Sequence, residues 1–245
     1  MASCGRKTNS AGAPGGNEQV TRLLVHVEGQ TEEHFVNSVL RDHLVSRGYS
    51  LVAPRLMGNA RQRSQRGGVR SWDSVKSEIV RHLKEDIGRR VTTMVDFYGL
   101  PFSWPGRQAA STLPHGDKAI AVEAELLNSV VAEMGTGFDP SRFVPFVIMH
   151  EFEGLLFSDC DTFATEIGRS DITHDLQTIR DQFTTPEEIN DSSETAPSKR
   201  VLELMPEYEK PLHGNLAAMA IGLDRMCVEC PHFRGWVERL EVTES

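Results

Sequence analysis

Four cysteines, at positions 4, 160, 227 and 230 of 245, are too few and too scattered for a secreted disulfide framework. A reducing, cytoplasmic setting is expected. No apolar run approaches the roughly 18 residues that a bilayer span requires, so no membrane-spanning segment is expected either. Basic side chains are in the minority, with 26 Lys and Arg against 35 Asp and Glu for a net charge of −9. Such a chain repels polyanions globally, and any nucleic-acid site must be a local basic patch, a metal centre or both. Neither a Walker A sequence nor a dinucleotide glycine fingerprint is present, which argues against an intrinsic ATPase. His150-Glu151-Phe152-Glu153-Gly154 misses the second histidine of a zinc protease helix. What remains is ordinary globular composition, 39% hydrophobic and 25% charged, at a length that buries a sizeable core.

Residues 1–20 are rich in Gly, Ala, Ser and Asn with no apolar stretch behind them, and a disordered leader rather than a secretory signal is expected. Leu23 to Val27 is a short apolar run closed by Glu28-Gly29, after which Phe35, Val36, Val39, Leu40 and Leu44 recur at helical spacing. A second strand is expected at 50–57, pushed to a sheet edge by Pro54. Ser71-Trp72-Asp73 opens a helix to about Ile87, Val91–Val95 forms a third strand ending at Asp96, and 119–134 forms another amphipathic helix. Phe143–Met149 is almost wholly apolar and is expected as a fourth strand buried on both faces. This β-α-β-α-β-α-β order predicts an α/β fold with a mostly parallel sheet flanked by helices. From Glu151 onward the pattern is helical. The expected organisation is therefore a leader (1–20), an α/β domain (21–160) and a helical C-terminal extension (161–245) packed on it.

Ligands of open parallel sheets sit beyond the carboxyl ends of the strands, and acidic residues fall at those ends: Glu28, Asp96, and Glu151 with Glu153. Convergent carboxylates repel one another unless a hard cation such as Mg²⁺ compensates them. The competing reading is a set of solvated loop carboxylates. Next to Glu28, Gly29 permits a sharp turn and Thr31 is expected to N-cap the helix, with Glu32 and Glu33 in its first turn.

The segments VEGQTEEHF (27–35), TTMVDFYGLP (92–101), PFVIMHEFEGLLFSD (145–159), APSKR (196–200) and CPHFRGWVERL (230–240) together resemble a bacterial TOPRIM-like family, the domain-of-unknown-function family 4276. The first segment also resembles the acidic motif of TOPRIM domains in OLD-type (overcoming lysogenization defect) nucleases, primases and topoisomerases. The resemblance implies a TOPRIM-like sheet in which Glu28 serves as general acid or base and Asp96 helps hold Mg²⁺ (or Mn²⁺) for phosphodiester chemistry. It departs from the Asp-x-Asp pattern at Tyr98, so Glu151 and Glu153 become the candidates for the remaining metal ligands. By the same resemblance, Lys199 or Arg200 is the cation beside the metal, the alternative being an exposed helix start after Pro197. A nuclease acting on nucleic acid, DNA ahead of RNA, is implied. So are a separate ATPase partner and a role in defence against phage or mobile elements. The alternative is a non-catalytic binding or regulatory module that docks such a partner.

The loop carrying Arg61, Arg63 and Arg66 has no acidic residue between Asp42 and Asp73, which fits phosphate contact, partner docking or simple solvation. His150 reads as a packed strand-end histidine or a partner of the site. Cys227-Val228-Glu229-Cys230 stands without a second pair and reads as packing. Phe97, Tyr98, Phe102 and Trp104 form an aromatic loop beside Asp96 that is expected mainly to enter the core, a stacking surface being the other reading.

Overall fold

The computed structural model describes residues 21–57, 71–189 and 196–241. The leader and the loop with Arg61, Arg63 and Arg66 lie outside the described residues. Five strands, β1 (Arg22–Val27), β2 (Leu51–Leu56), β3 (Arg89–Asp96), β4 (Phe143–Val144) and β5 (Val147–Ile148), form one parallel sheet. Its order is β2-β1-β3-β4, with β5 also on β3. Parallel neighbours need crossovers, and helices supply them. α1 (Gln30–Phe35), a π-helical turn (Val36–Leu40) and α2 (Arg41–Ser46) link β1 to β2, α3 (Trp72–Glu85) precedes β3, and α4 (Arg107–Ala110) with α5 (His115–Met134) precedes β4. β2 is an edge strand, where a residue without an N–H such as Pro54 is tolerated.

The expected fourth strand is split. β4 and β5 keep one register against β3, pairing Thr92 with Val144 and Val95 with Val147. Pro145 interrupts the ladder between them because it has no N–H to donate. The Thr93 hydroxyl fills the gap, accepting from the Phe146 N–H and donating to the Phe146 carbonyl, each at 3.0 Å.

Side-chain alternation divides the core between the two faces of the sheet. Val91 and Val95 pack against Trp72, Val75, Ile79 and Leu83 of α3 and Val122, Leu126 and Val130 of α5. Leu23, Val25 and Val27 face the other way, onto α1 and the C-terminal helices. Those helices are α6 (Cys160–Glu166), α7 (Thr173–Arg180), α8 (Pro197–Leu204), α9 (Asn215–Glu229) and α10 (Pro231–Glu241). Phe163, Ala217, Phe233 and Trp236 share one apolar core with β1.

Polar ties fix α10 to the sheet. Buried Arg90 donates through Nη1 to the Tyr49 hydroxyl (2.5 Å) and the Leu240 carbonyl (3.0 Å), and through Nη2 to the Arg239 carbonyl (2.9 Å). Trp236 Nε1 donates to Thr92 Oγ1 at 2.8 Å. At the start of α10 the Glu187 carboxylate accepts the N–H groups of His232 and Phe233, at 3.0 and 2.8 Å, which the helix itself leaves unpaired. Among the described residues no helix is long and apolar enough to cross a membrane.

Candidate metal centre at the carboxyl end of the sheet

Three strand ends bring acidic groups to one place. Val27, the last residue of β1, is level with Met94, so Glu28 emerges where β3 is about to end. The chain then turns at Gly29, which is the N-cap of α1, and Glu32 curls back so that its Oε2 accepts the Gly29 N–H at 2.9 Å. This corrects the expected cap. Thr31 lies inside the helix and is buried, and the carboxylate three residues past the cap does the capping in its place. The bond also holds Glu32, only 8% exposed, beside Glu28 instead of in solvent.

Asp96 ends β3, level with Ile148, and the 3₁₀ turn Phe97–Gly99 then runs across Glu28. A Cβ on Gly99 would stand 3.1 Å from Glu28 Oε2 and 3.3 Å from Oε1, so a side chain there would push the carboxylate aside by a few tenths of an ångström. The Asp96 backbone N–H bonds to the Glu28 carboxylate.

The third strand end is strained. His150 has φ +72°, the left-handed region that a residue with a Cβ seldom occupies. Its ring is buried, stacked at 10° on the Tyr98 ring (centroids 5.2 Å apart), with Nε2 2.9 Å from Nε2 of His115. Just beyond it Glu151 keeps extended backbone, and only Glu153 lies in the 3₁₀ segment Phe152–Ser158. Two glutamates two positions apart on one helix would diverge. Because Glu151 precedes the helical turn, both carboxylates instead reach one ammonium: Lys210 Nζ is 3.3 Å from Glu151 Oε1 and 3.2 Å from Glu153 Oε2. Glu151 Oε2 also accepts the Ser198 N–H at 3.1 Å, in the first turn of α8.

Five carboxyl groups thus face one ammonium. Burial, then the charge of Glu32, raises Glu28 from 4.5 to about 7, against smaller lowering contributions from the Asp96 N–H and Lys210. Burial followed by the charges of Glu32, Glu28, Glu153 and Glu151 holds Asp96 well above the usual carboxylate range. Glu153, 1% exposed, is raised to about 7, chiefly by burial and despite Lys210. Burial raises Glu32 as well. For Lys210 burial works against the charged form, but Glu153 and Glu151 together outweigh it and the pKa rises. The buried Tyr208 hydroxyl is pushed up by burial and by Glu153 and Glu151.

Three carboxylate oxygens of the cluster, Glu28 Oε2, Asp96 Oδ1 and Glu153 Oε1, are buried with no hydrogen-bond partner among the described residues. Orphaned hard oxygens with surplus negative charge are the donor chemistry of Mg²⁺ or Mn²⁺, so the residues fit such an ion. As placed, no three His, Cys, Asp or Glu among the described residues surround a single point closely enough to hold one. Binding would require these side chains to swing together.

The structure therefore brings Glu28, Asp96, Glu151 and Glu153 into one cluster and adds Glu32 and Lys210. It does not bring Lys199 there. That side chain is exposed on α8 and forms no ion pair among the described residues, while Arg200 lies over the Phe183 ring at 5.5 Å. The cation in the cluster is Lys210, at the head of the π-helical turn Lys210–Gly214. Nothing in its local sequence marks it, since it reaches the sheet only through the tertiary fold. Of the two cysteines of the Cys-x-x-Cys segment, both free, Cys227 is raised to about 11 by burial and Cys230, buried against Ser158, is also pushed up, which keeps both as inert thiols.

A family model described as "Domain of unknown function (DUF4276)" matches residues 27–241, a span that holds every member of the cluster. No curated protein matches the chain. A solved structure, the C-terminal region of the Xanthomonas campestris pv. campestris OLD protein, aligns over 90% of this chain and 95% of its own. The identity is 15% and the TM-score 0.44.

Proposed function

We propose that this chain, which belongs to the DUF4276 family, is a TOPRIM-like, Mg²⁺- or Mn²⁺-dependent nuclease that hydrolyses phosphodiester bonds of nucleic acid, DNA ahead of RNA. The observation that carries this reading is the convergence of Glu28, Asp96, Glu151 and Glu153 at the carboxyl end of a parallel sheet, with three of their oxygens orphaned. Glu28, Asp96 and Glu153 would hold the ion, joined by Glu151 if Lys210 yields. When bound, the ion polarises a phosphoryl oxygen and supplies a nucleophilic hydroxide.

With no ion bound, burial and the charge of Glu32 raise Glu28 to about 7, and in that state it can take up or release a proton as a general acid or base. The Lys210 ammonium keeps Glu151 and Glu153 in place and offers positive charge to a phosphate that gathers negative charge. The Arg61, Arg63 and Arg66 loop is proposed to follow the phosphate backbone, and Arg200 is the remaining proposed contact. A separate ATPase partner and a defence role rest on the family resemblance alone.

A second reading, a non-catalytic module that docks an ATPase, is favoured by the ion pairs of Lys210, whose one positive charge is shared by two of the carboxylates without any metal. The deciding experiment is nicking of supercoiled plasmid, with cleavage of single-stranded DNA and RNA, in Mg²⁺ or Mn²⁺. Cleavage that needs the metal and disappears in both Glu28→Ala and Asp96→Ala is expected. Folded wild-type protein that cleaves nothing, or variants that cleave normally, would overturn the nuclease.

A further inference from the structure

The aromatic loop after β3 divides between core and surface. Phe97 and Trp104 are buried, at 1% and 2% exposed, whereas Tyr98 and Phe102 stay 42% and 66% exposed. The two exposed rings gather round one guanidinium: Arg107 Cζ lies 5.0 Å from the Phe102 centroid and 5.7 Å from that of Tyr98, over buried Phe97 at 4.0 Å. Arg107 is itself 5% exposed. It donates to the Phe97 carbonyl and to Ser111 Oγ, each at 2.8 Å, and no carboxylate pairs with it among the described residues. A buried cation normally acquires a counter-charge. Here ring faces take that place, and what the patch shows to solvent is aromatic.

The position of this patch gives it meaning. Tyr98 stands between Asp96 and Gly99, the glycine against which the Glu28 carboxylate rests, and its ring is stacked on His150, the residue before Glu151. A strand whose phosphate lay at the carboxylate cluster would have its neighbouring bases beside these rings. Duplex bases are stacked on each other and paired, so only an unpaired base can lie on an aromatic side chain.

We infer that Phe102, together with the part of the Tyr98 ring that His150 and Arg107 leave exposed, forms a stacking platform for unpaired nucleobases, which makes the substrate single-stranded nucleic acid or a loop or end with splayed bases. The inference rests on the nuclease reading for the identity of the ligand. Its test reads binding and does not depend on hydrolysis.

Fluorescence anisotropy is measured with labelled single-stranded DNA, single-stranded RNA, duplex DNA and an abasic strand of equal length, in Ca²⁺ and again in EDTA. The wild type is expected to prefer the base-bearing single strands over both the duplex and the abasic strand. Tyr98→Ala and Phe102→Ala are each expected to weaken single-strand binding roughly tenfold, the scale of one base–aromatic stack. Abasic binding should stay unchanged, and Tyr98→Phe should keep the wild-type preference. Phe102 is largely exposed, so Phe102→Ala reports even if the Tyr98 variant misfolds, which circular dichroism shows. The DNA and RNA arms decide which strand is the ligand.

Equal affinity for duplex, abasic and single strands, wild-type affinity in both alanine variants, or no binding to any probe would each overturn the platform. Base-dependent binding without cleavage would sink the nuclease and leave the platform standing. Duplex cleavage indifferent to both rings would do the reverse.

Discussion

Neutralising a carboxylate of the cluster should make the protein more stable and less able to bind a metal. Glu28 moves from 4.5 to about 7 on folding, through burial first and the neighbouring Glu32 second. A carboxyl raised in the folded state binds its proton more tightly there than in the unfolded chain. Below 4.5 both states are protonated and nothing is lost; as pH rises towards about 7 the unfolded chain gives up its proton first, and stability falls until both states are ionised. The full difference corresponds to about 3 kcal/mol. Glu28→Gln keeps an oxygen for the Asp96 N–H and removes the charge.

Thermal unfolding in EDTA should therefore show little gain at about pH 4 and, at about pH 8, a rise in Tm of roughly 5–10 °C. Added Mg²⁺ should reverse the ranking. At a thousand times its dissociation constant an ion stabilises the wild type by about 4.1 kcal/mol, more than the variant's advantage of about 3 kcal/mol in EDTA, and the variant should gain much less. A variant that is less stable than wild type in EDTA at about pH 8, or whose gain is the same at both pH values, would refute the electrostatic account of the cluster.

Removing the opposing cation should act in the other direction. Lys210→Met leaves Glu153, 1% exposed, as a buried carboxylate without its partner, and a loss of about 3 kcal/mol is expected above neutral pH. Denaturant titration should show that loss shrinking towards about pH 5, as Glu153 takes a proton, and largely disappearing in the Lys210→Met, Glu153→Gln double variant. At His150 the backbone sits at φ +72°, a conformation that asparagine tolerates and β-branched residues do not. Both His150→Asn and His150→Val lose the buried ring, so calorimetry should place the valine variant about 2 kcal/mol below the asparagine one, the difference that the backbone makes.

Apolar periodicity made the sheet legible in advance, because each strand and its following helix declare themselves within a dozen residues. Strand ends followed, and with them Glu28, Asp96, Glu151 and Glu153 as one group, since a parallel sheet aligns its carboxyl ends whatever the intervening sequence. Three features were not legible, each for a physical reason. Pro145 broke the fourth strand although its neighbours are apolar, because a missing N–H matters to the ladder and not to hydropathy. Glu32 took the cap expected of Thr31, a choice between two local bonds that propensity does not separate. Lys210 lies 57 residues beyond Glu153 in sequence and reaches it only through the packing of the turn before α9. Lys199, nearer the resemblance, points to solvent instead.

Several of the unfavourable local choices among the described residues fall together, although other buried polar atoms without partners, such as His26 Nδ1 and Thr173 Oγ1, lie elsewhere. Gly99 gives up a side chain where the Glu28 carboxylate enters, His150 holds a strained backbone, and Glu28, Asp96 and Glu153 bury oxygens without partners. Each costs stability on its own, and none is needed to close the sheet, whose hydrogen bonds and apolar faces are complete without them. Folding alone would scatter such defects or remove them, because one substitution relieves each. Their concentration within one turn of three adjacent strand ends is what a binding site produces when charge is held ready for a ligand. The same reasoning applies to Tyr98. Where a further acid would have deepened the repulsion, an aromatic ring instead braces His150 and remains partly exposed, so the position trades one more unfavourable charge for a surface that can meet the ligand.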